Sequence, residues 1–183
     1  MTQFQFDDMY NYIIILRHAK SSWKNKDCPD IDRILSKKGL LQCLIMDKWI
    51  QYHNIYPDII FNSPSKRTFL TKHYLLNLNN IPTIIEEKLY NLSEEDFIPK
   101  KEDLHKLLRK IISKFEQDKN KVMIIGHNPL LESLVETLIK KKKLKERIKP
   151  SDIIILKQPK ENNLIDNKGW IIDRRLYWNK DRI

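Results

Sequence analysis

Tyr12-Ile13-Ile14-Ile15-Leu16, running directly into Arg17-His18-Ala19-Lys20, decides the fold. Five consecutive apolar residues, β-branched at the centre, suit a strand buried on both faces, as in a parallel sheet. The run then stops on two charged or titratable side chains. Similar short apolar runs follow at Ile59–Phe61, Thr83–Ile85 and Val122–Ile125. Helical patterns lie between them. Ser36 is placed to cap a helix carrying Leu40, Leu41, Leu44, Ile45 and Trp49 on one face. A second helix is expected from Asn62-Ser63-Pro64 to about Leu76. Leu104, Leu107, Leu108, Ile111, Ile112 and Phe115 recur at helical spacing, and Gly126-His127-Asn128-Pro129 turns into a helix carrying Leu130, Leu131, Leu134, Val135 and Leu138. Ile153–Leu156 and Trp170–Ile172 read as two late strands, with Lys157–Lys168 between them as a hairpin or long loop.

Strands alternating with helices imply a three-layer α/β sandwich, with a mostly parallel central sheet and helices on both faces. At 183 residues the chain suits one domain with a full core, expected over 1–183 with residues 1–11 as a short N-terminal extension. No apolar run reaches the roughly 18 residues that span a bilayer. Residues 1–12 include Asp7 and Asp8 and lack the basic and apolar regions of a signal peptide, so a cytoplasmic setting and no membrane partner are expected. Cys28 and Cys43 form no C-x-x-C pair, which argues against a disulfide framework or a zinc site. The three glycines are too scattered for a nucleotide-binding loop.

A net charge of +10 raises the question of nucleic acid. The basic residues are spread along the chain, and the one dense run, Lys140–Lys143 with Lys145, Arg147 and Lys149, follows a helix whose dipole favours cations at that end. No nucleic-acid module accompanies it, so nucleic acid is not the expected partner.

Ligands of open α/β sheets bind at the carboxyl ends of the strands. Three strands end there in chemically loaded residues: Arg17-His18 after the first, Ser63 and then Arg67 after the second, His127 after the fourth. Two guanidiniums offer forked donors for a tetrahedral oxyanion. A neutral imidazole is a competent nucleophile toward phosphorus, and a second can hold an oxygen or protonate a leaving group. His53, His73 and His105 fall in expected helices without metal spacing and read as surface or satisfied residues.

Arg17-His18-Ala19-Lys20-Ser21-Ser22-Trp23 resembles the signature of the histidine phosphatase superfamily, in the form found in its small phosphohistidine phosphatase (SixA-type) branch, with a phosphoglycerate mutase-like fold. The agreement continues at Arg33-Ile34-Leu35-Ser36-Lys37-Lys38-Gly39, Ser63-Pro64-Ser65-Lys66-Arg67-Thr68, Lys88-Leu89-Tyr90 and Gly126-His127-Asn128-Pro129, across roughly Ile13 to Ile139. The resemblance implies a phosphatase without metal or cofactor. His18 would be the phosphorylated nucleophile, Arg17 and Arg67 the holders of the phosphoryl oxygens, His127 the second pocket histidine, and Ser21 a phosphate contact or loop-ordering residue. It further implies a phosphorylated protein or small phosphate ester as the partner, with phosphohistidine on a protein as the leading substrate. The alternatives are a phosphatase or mutase for small esters, or a weakly catalytic member that binds phosphoproteins or nucleic acid. One position departs from the pattern: Asn91 stands where many relatives place a proton-donating Glu, with Glu94, Glu95 and Asp96 nearby, which also suit helix capping. No functional residue carries over onto Ile148-Lys149-Pro150-Ser151-Asp152.

Overall fold

The computed structural model describes residues 5–91, 99–116, 118–140, 143–162 and 169–177. β1 (Tyr10–Arg17), β2 (Ile59–Asn62), β3 (Thr83–Ile85), β4 (Lys121–Gly126), β5 (Ile153–Pro159) and β6 (Ile171–Leu176) form one sheet in the order β3-β2-β4-β1-β5-β6. The first four strands of that order run parallel, and β5 pairs antiparallel with both β1 and β6. The loaded strand ends therefore lie side by side on one edge. Parallel register sets Arg17 opposite Gly126, so His18 and His127 leave the sheet together.

The alternation of β1 builds the two cores. Ile13 and Ile15 face Leu104, Leu107 and Leu108 of α4 (Lys101–Ile112) and Leu130, Leu131 and Leu134 of α5 (Leu130–Leu138). Tyr12, Ile14 and Leu16 face Met46 and Ile50 of α1 (Lys37–Tyr52), with Leu75 and Leu78 beyond the end of α2 (Lys66–Tyr74). Full burial of these strand residues on both faces gives the three layers that the run Tyr12–Leu16 implied. A further short helix, α3 (Lys88–Asn91), follows β3.

Several boundaries and one face differ from expectation. β1 begins at Tyr10, inside the residues expected as an extension, because Tyr10 and Asn11 pair with Pro159 and Gln158 of β5. α2 ends at Tyr74, and a 3₁₀ turn covers Leu76–Leu78. Lys157–Pro159 belong to β5, not to a loop; residues 163–168 of the expected connection lie outside the described residues.

α1 is capped by Ser36 as expected, its hydroxyl accepting from the Gly39 N–H at 3.1 Å. Its buried face, however, is Gly39, Gln42, Cys43, Met46 and Ile50, while Leu41 and Leu44 are exposed. The N-terminal half of this helix packs on the backbone of the loop after β1 and shares a small apolar cluster of Ala19, Leu35 and Cys43. Gln42 Oε1 accepts the Lys20 N–H at 2.8 Å, and a Cβ on Gly39 would lie 2.1 Å from the Lys20 carbonyl oxygen. Only glycine allows that approach.

Candidate active site

His18 follows β1 directly, is buried, and hydrogen-bonds through Nδ1 to its neighbour's carbonyl, Ala19 O, at 2.7 Å. A carbonyl only accepts, so Nδ1 carries the proton and Nε2 keeps its lone pair. Burial, with Arg67, Arg17 and Arg33 close by, pulls the pKa of His18 down to about 3, against the raising effect of the Ala19 bond. The ring is neutral across the physiological range and offers an available nitrogen. α2 secures this loop: Thr71 Oγ1 accepts the Ala19 N–H at 3.0 Å and donates to Arg67 O at 2.7 Å.

His127 follows β4, with its ring centroid 4.9 Å from that of His18. Its Nδ1 accepts from Arg67 Nε at 3.2 Å, and its Nε2 lies 2.8 Å from Ser63 Oγ and 3.2 Å from Ser65 Oγ. A guanidinium only donates, so the neutral tautomer here carries its proton on Nε2. Burial first, then His18 and Arg67, holds the pKa of His127 well below the usual histidine range. Both ring nitrogens are engaged by protein groups, which makes His127 a support for Arg67 as much as a proton donor.

Arg67, the second residue of α2, is 7% exposed. Its other donors reach Asp30: Nη1 to the carbonyl oxygen at 2.5 Å and Nη2 to Oδ2 at 2.8 Å. Arg17, the last residue of β1, donates from Nη1 to Ile148 O at 2.7 Å, while its buried Nε meets no acceptor among the described residues. A buried guanidinium N–H without an acceptor, on a residue that lines the same pocket as His18, suits an oxyanion. Ser21 receives Arg33 Nη2 in a short hydrogen bond to its hydroxyl, so it joins the site through Arg33.

Three residues of this constellation escaped the sequence reading. Arg33 is 7% exposed, donates to Ser22 O at 3.2 Å and Asp30 Oδ1 at 2.7 Å, and stacks on the Trp23 ring, its guanidinium carbon 3.2 Å from the centroid. Asp30 ties Arg33 to Arg67 and also accepts from Tyr90 OH at 3.0 Å. Desolvation pushes the Asp30 carboxyl upward, but Arg67, Arg33 and Tyr90 together outweigh it and hold its pKa below the ordinary value. Tyr90 stands edge-on to His127, with centroids 5.8 Å apart. Arg33 and Tyr90 lay in segments matched to the family and were signalled by them. Asp30 and the carbonyl of Ile148 had no such signal. That carbonyl, which also accepts from Asn128 Nδ2 at 2.9 Å, gives a structural role to the segment 148–152. Asp152, buried at its end, accepts the Lys149 N–H at 2.9 Å and Arg175 Nη2 at 3.0 Å.

These groups line a pocket of about 850 Å³ together with Lys20, Lys38, Gln42 and Lys149. Asn91 is exposed at the end of α3, and Glu94, Glu95 and Asp96 lie outside the described residues. Of the other histidines, His53 is buried beside Trp49 and Tyr52, while His73 and His105 are exposed. Among the described residues no group of three or more His, Cys, Asp or Glu could hold a metal ion, and no helix is long and apolar enough to cross a membrane.

A neutral imidazole and arginine donors meet at the carboxyl edge of the parallel strands, an arrangement that can hold a tetrahedral oxyanion. The chain belongs to the histidine phosphatase superfamily (branch 1), whose family model matches residues 13–150. A curated relative, Phosphoserine phosphatase 1 of Hydrogenobacter thermophilus, is 28% identical over 82 residues, covering 44% of this chain. The match spans only 38% of that relative's length. Among solved structures, a candidate phosphohistidine phosphatase SixA of Agrobacterium tumefaciens superposes with a TM-score of 0.72 at 21% identity, over 92% of this chain and 99% of that one. The protein histidine phosphatase SixA complexed with tungstate gives 0.71 at 16% identity, over 90% and 96%. A mycobacterial glucosyl-3-phosphoglycerate phosphatase gives 0.65 at 14%, over 90% and 97%. These structural likenesses concern the fold.

Proposed function

We propose that this protein is a metal-independent phosphatase that passes through a phosphohistidine on His18, with phosphohistidine in a protein as its substrate. The observation that carries the reading is His18 itself: Nδ1 is pinned to Ala19 O, Nε2 retains its lone pair, and burial keeps the ring neutral. In the first step Nε2 attacks phosphorus and a new N–P bond forms. The bond from phosphorus to the substrate's imidazole nitrogen breaks, and that nitrogen keeps the electron pair and takes a proton. In the second step water attacks the phosphorus of phospho-His18, releasing inorganic phosphate and restoring the imidazole. Arg17 Nε and the remaining N–H groups of Arg67 stabilise the charge on the transferring oxygens. The SixA structure holding tungstate, a tetrahedral oxyanion, supports this use of the pocket by likeness of fold.

The substrate class follows from proton supply. An alkoxide leaving group needs an acid, and Asn91 cannot donate in turnover. Asp30 is held in its carboxylate form by Arg67 and Arg33, and the His127 proton faces Ser63 and Ser65. An imidazole leaves more readily and tolerates this lack. A second reading, hydrolysis of small phosphate esters, draws support from the relative named Phosphoserine phosphatase 1. Turnover of phosphohistidine measured beside phosphoserine and a sugar phosphate separates the two. A kcat/KM at least tenfold higher for phosphohistidine is expected, and the reverse ranking would establish the ester reading.

A further inference from the structure

The pocket carries more positive charge than one phosphoryl group needs. Arg17, Lys20, Arg33, Lys38, Arg67 and Lys149 line it, against the single carboxylate of Asp30. A phosphoryl group brings about two negative charges. A substrate matched to this field carries further anionic groups beside its phosphate.

Large apolar side chains also stand exposed on the segments that carry pocket residues. Trp23, which lines the pocket, is 71% exposed, and Ile34, beside Arg33, is 55% exposed. The two belong to paired strands of chain, since the Ser22 N–H donates to Ile34 O at 2.8 Å and Ser21 bridges Leu35. Leu41 on α1 is 44% exposed, and it sits one turn on from the pocket residue Lys38, about 60° round the helix axis. Leu41 is one of the residues whose spacing predicted a core face, yet the core is served by the other side of the helix. Large exposed apolar side chains on segments flanking a site suit a surface that a partner covers, and tryptophan is enriched among the anchors of such surfaces. Ile34 and Leu41 do not line the pocket itself, so a small ester has no need of them.

We propose that the pocket mouth docks an acidic, partly apolar segment of a protein substrate. Trp23, Ile34 and Leu41 cover its apolar side chains, and Lys20 and Lys149 meet its carboxylates. The proposal rests on the reading of the site as a protein phosphohistidine phosphatase. It adds the chemistry of the residues that flank the phosphorylated histidine.

The test uses the intact protein and four probes: a synthetic phosphohistidine peptide flanked by Glu and Leu, the same peptide flanked by Lys and Ser, N-acetyl phosphohistidine, and a sugar bisphosphate. At low salt kcat/KM for the acidic peptide should exceed that for the basic peptide by about tenfold, and high salt should narrow the gap. Leu41→Asp should lower kcat/KM for the acidic peptide by about tenfold while moving that for N-acetyl phosphohistidine far less. Its thermal melt, compared with that of the unaltered protein, reports folding. Equal turnover of the two peptides, or an equal loss on peptide and N-acetyl phosphohistidine in folded Leu41→Asp, would overturn docking and leave the phosphohistidine reading standing. Faster turnover of the bisphosphate than of the acidic peptide would assign the excess charge to a second phosphate and overturn it as well. Turnover of para-nitrophenyl phosphate with none of the phosphohistidine probes would overturn both readings together.

Discussion

Replacing Arg67 by lysine keeps the charge and removes the fork. In the structure this guanidinium makes three hydrogen bonds: Nε to His127, Nη1 to the Asp30 carbonyl and Nη2 to the Asp30 carboxylate. A lysine ammonium on a flexible stem can satisfy one of these in a given pose. Two are lost, each involving a charged donor in a pocket where Arg67 is 7% exposed. At about 1.5 kcal/mol each, the low end for bonds to charged groups, the loss is about 3 kcal/mol. If that support is needed in the transition state, kcat/KM falls about a hundredfold. Lys66→Arg, an exposed neighbour on the same helical turn, should change it less than twofold. The assay is steady-state hydrolysis of phosphohistidine, with circular dichroism to confirm folding. A loss below threefold in folded Arg67→Lys would refute the argument that the fork, and not the charge alone, holds the site together.

Four further outcomes follow from the same geometry. The folded pKa of His18 lies near 3, below its unfolded value, so its contribution to stability is full above pH 6.5 and is lost as pH falls toward 3. Urea unfolding at pH 6.5 and pH 5 should show a loss of about 2 kcal/mol from His18 alone, and no loss across that interval contradicts a buried neutral ring. Gly39→Ala drives a Cβ to 2.1 Å from the Lys20 carbonyl, so it should cost about 2 kcal/mol in urea unfolding and slow turnover by moving the catalytic loop. Asp30→Asn removes the charge shared by Arg33, Arg67 and Tyr90 and should lower kcat/KM about tenfold, while the exposed Asp32→Asn should not. Vanadate should inhibit competitively and EDTA should leave the rate unchanged; reactivation by a divalent ion after chelation would contradict a metal-free mechanism.

The centre of the sheet was readable because its strands β1 and β4 are buried on both faces. Tyr12–Leu16 and Val122–Ile125 suited interior strands, and their shared edge placed Arg17, His18 and His127 together. The face of α1 was misread because the apolar stripe was drawn through Leu41 and Leu44, which stand exposed. Backbone contacts at Gly39 and Gln42, which leave no hydrophobic signature, decided which side turned inward. Asp30 was invisible for a related reason: an exposed-looking acid in a loop earns its place only when Arg33 and Arg67, from distant segments, close on it. The carbonyl of Ile148 supports Arg17 and Asn128 through backbone that any residue type supplies. Sequence pattern reports what a side chain buries and says little about which carbonyl it meets.

The account turns on a covalent phosphate at Nε2 of His18, and trapping it is the most direct test. Enzyme mixed with phosphohistidine labelled at phosphorus, quenched in base within the first turnover and digested, should yield one labelled peptide containing His18. The label should be stable in base, released in acid and absent from folded His18→Ala. A label that survives acid and maps to Ser63 or Ser65, or turnover retained by folded His18→Ala, would contradict the central claim.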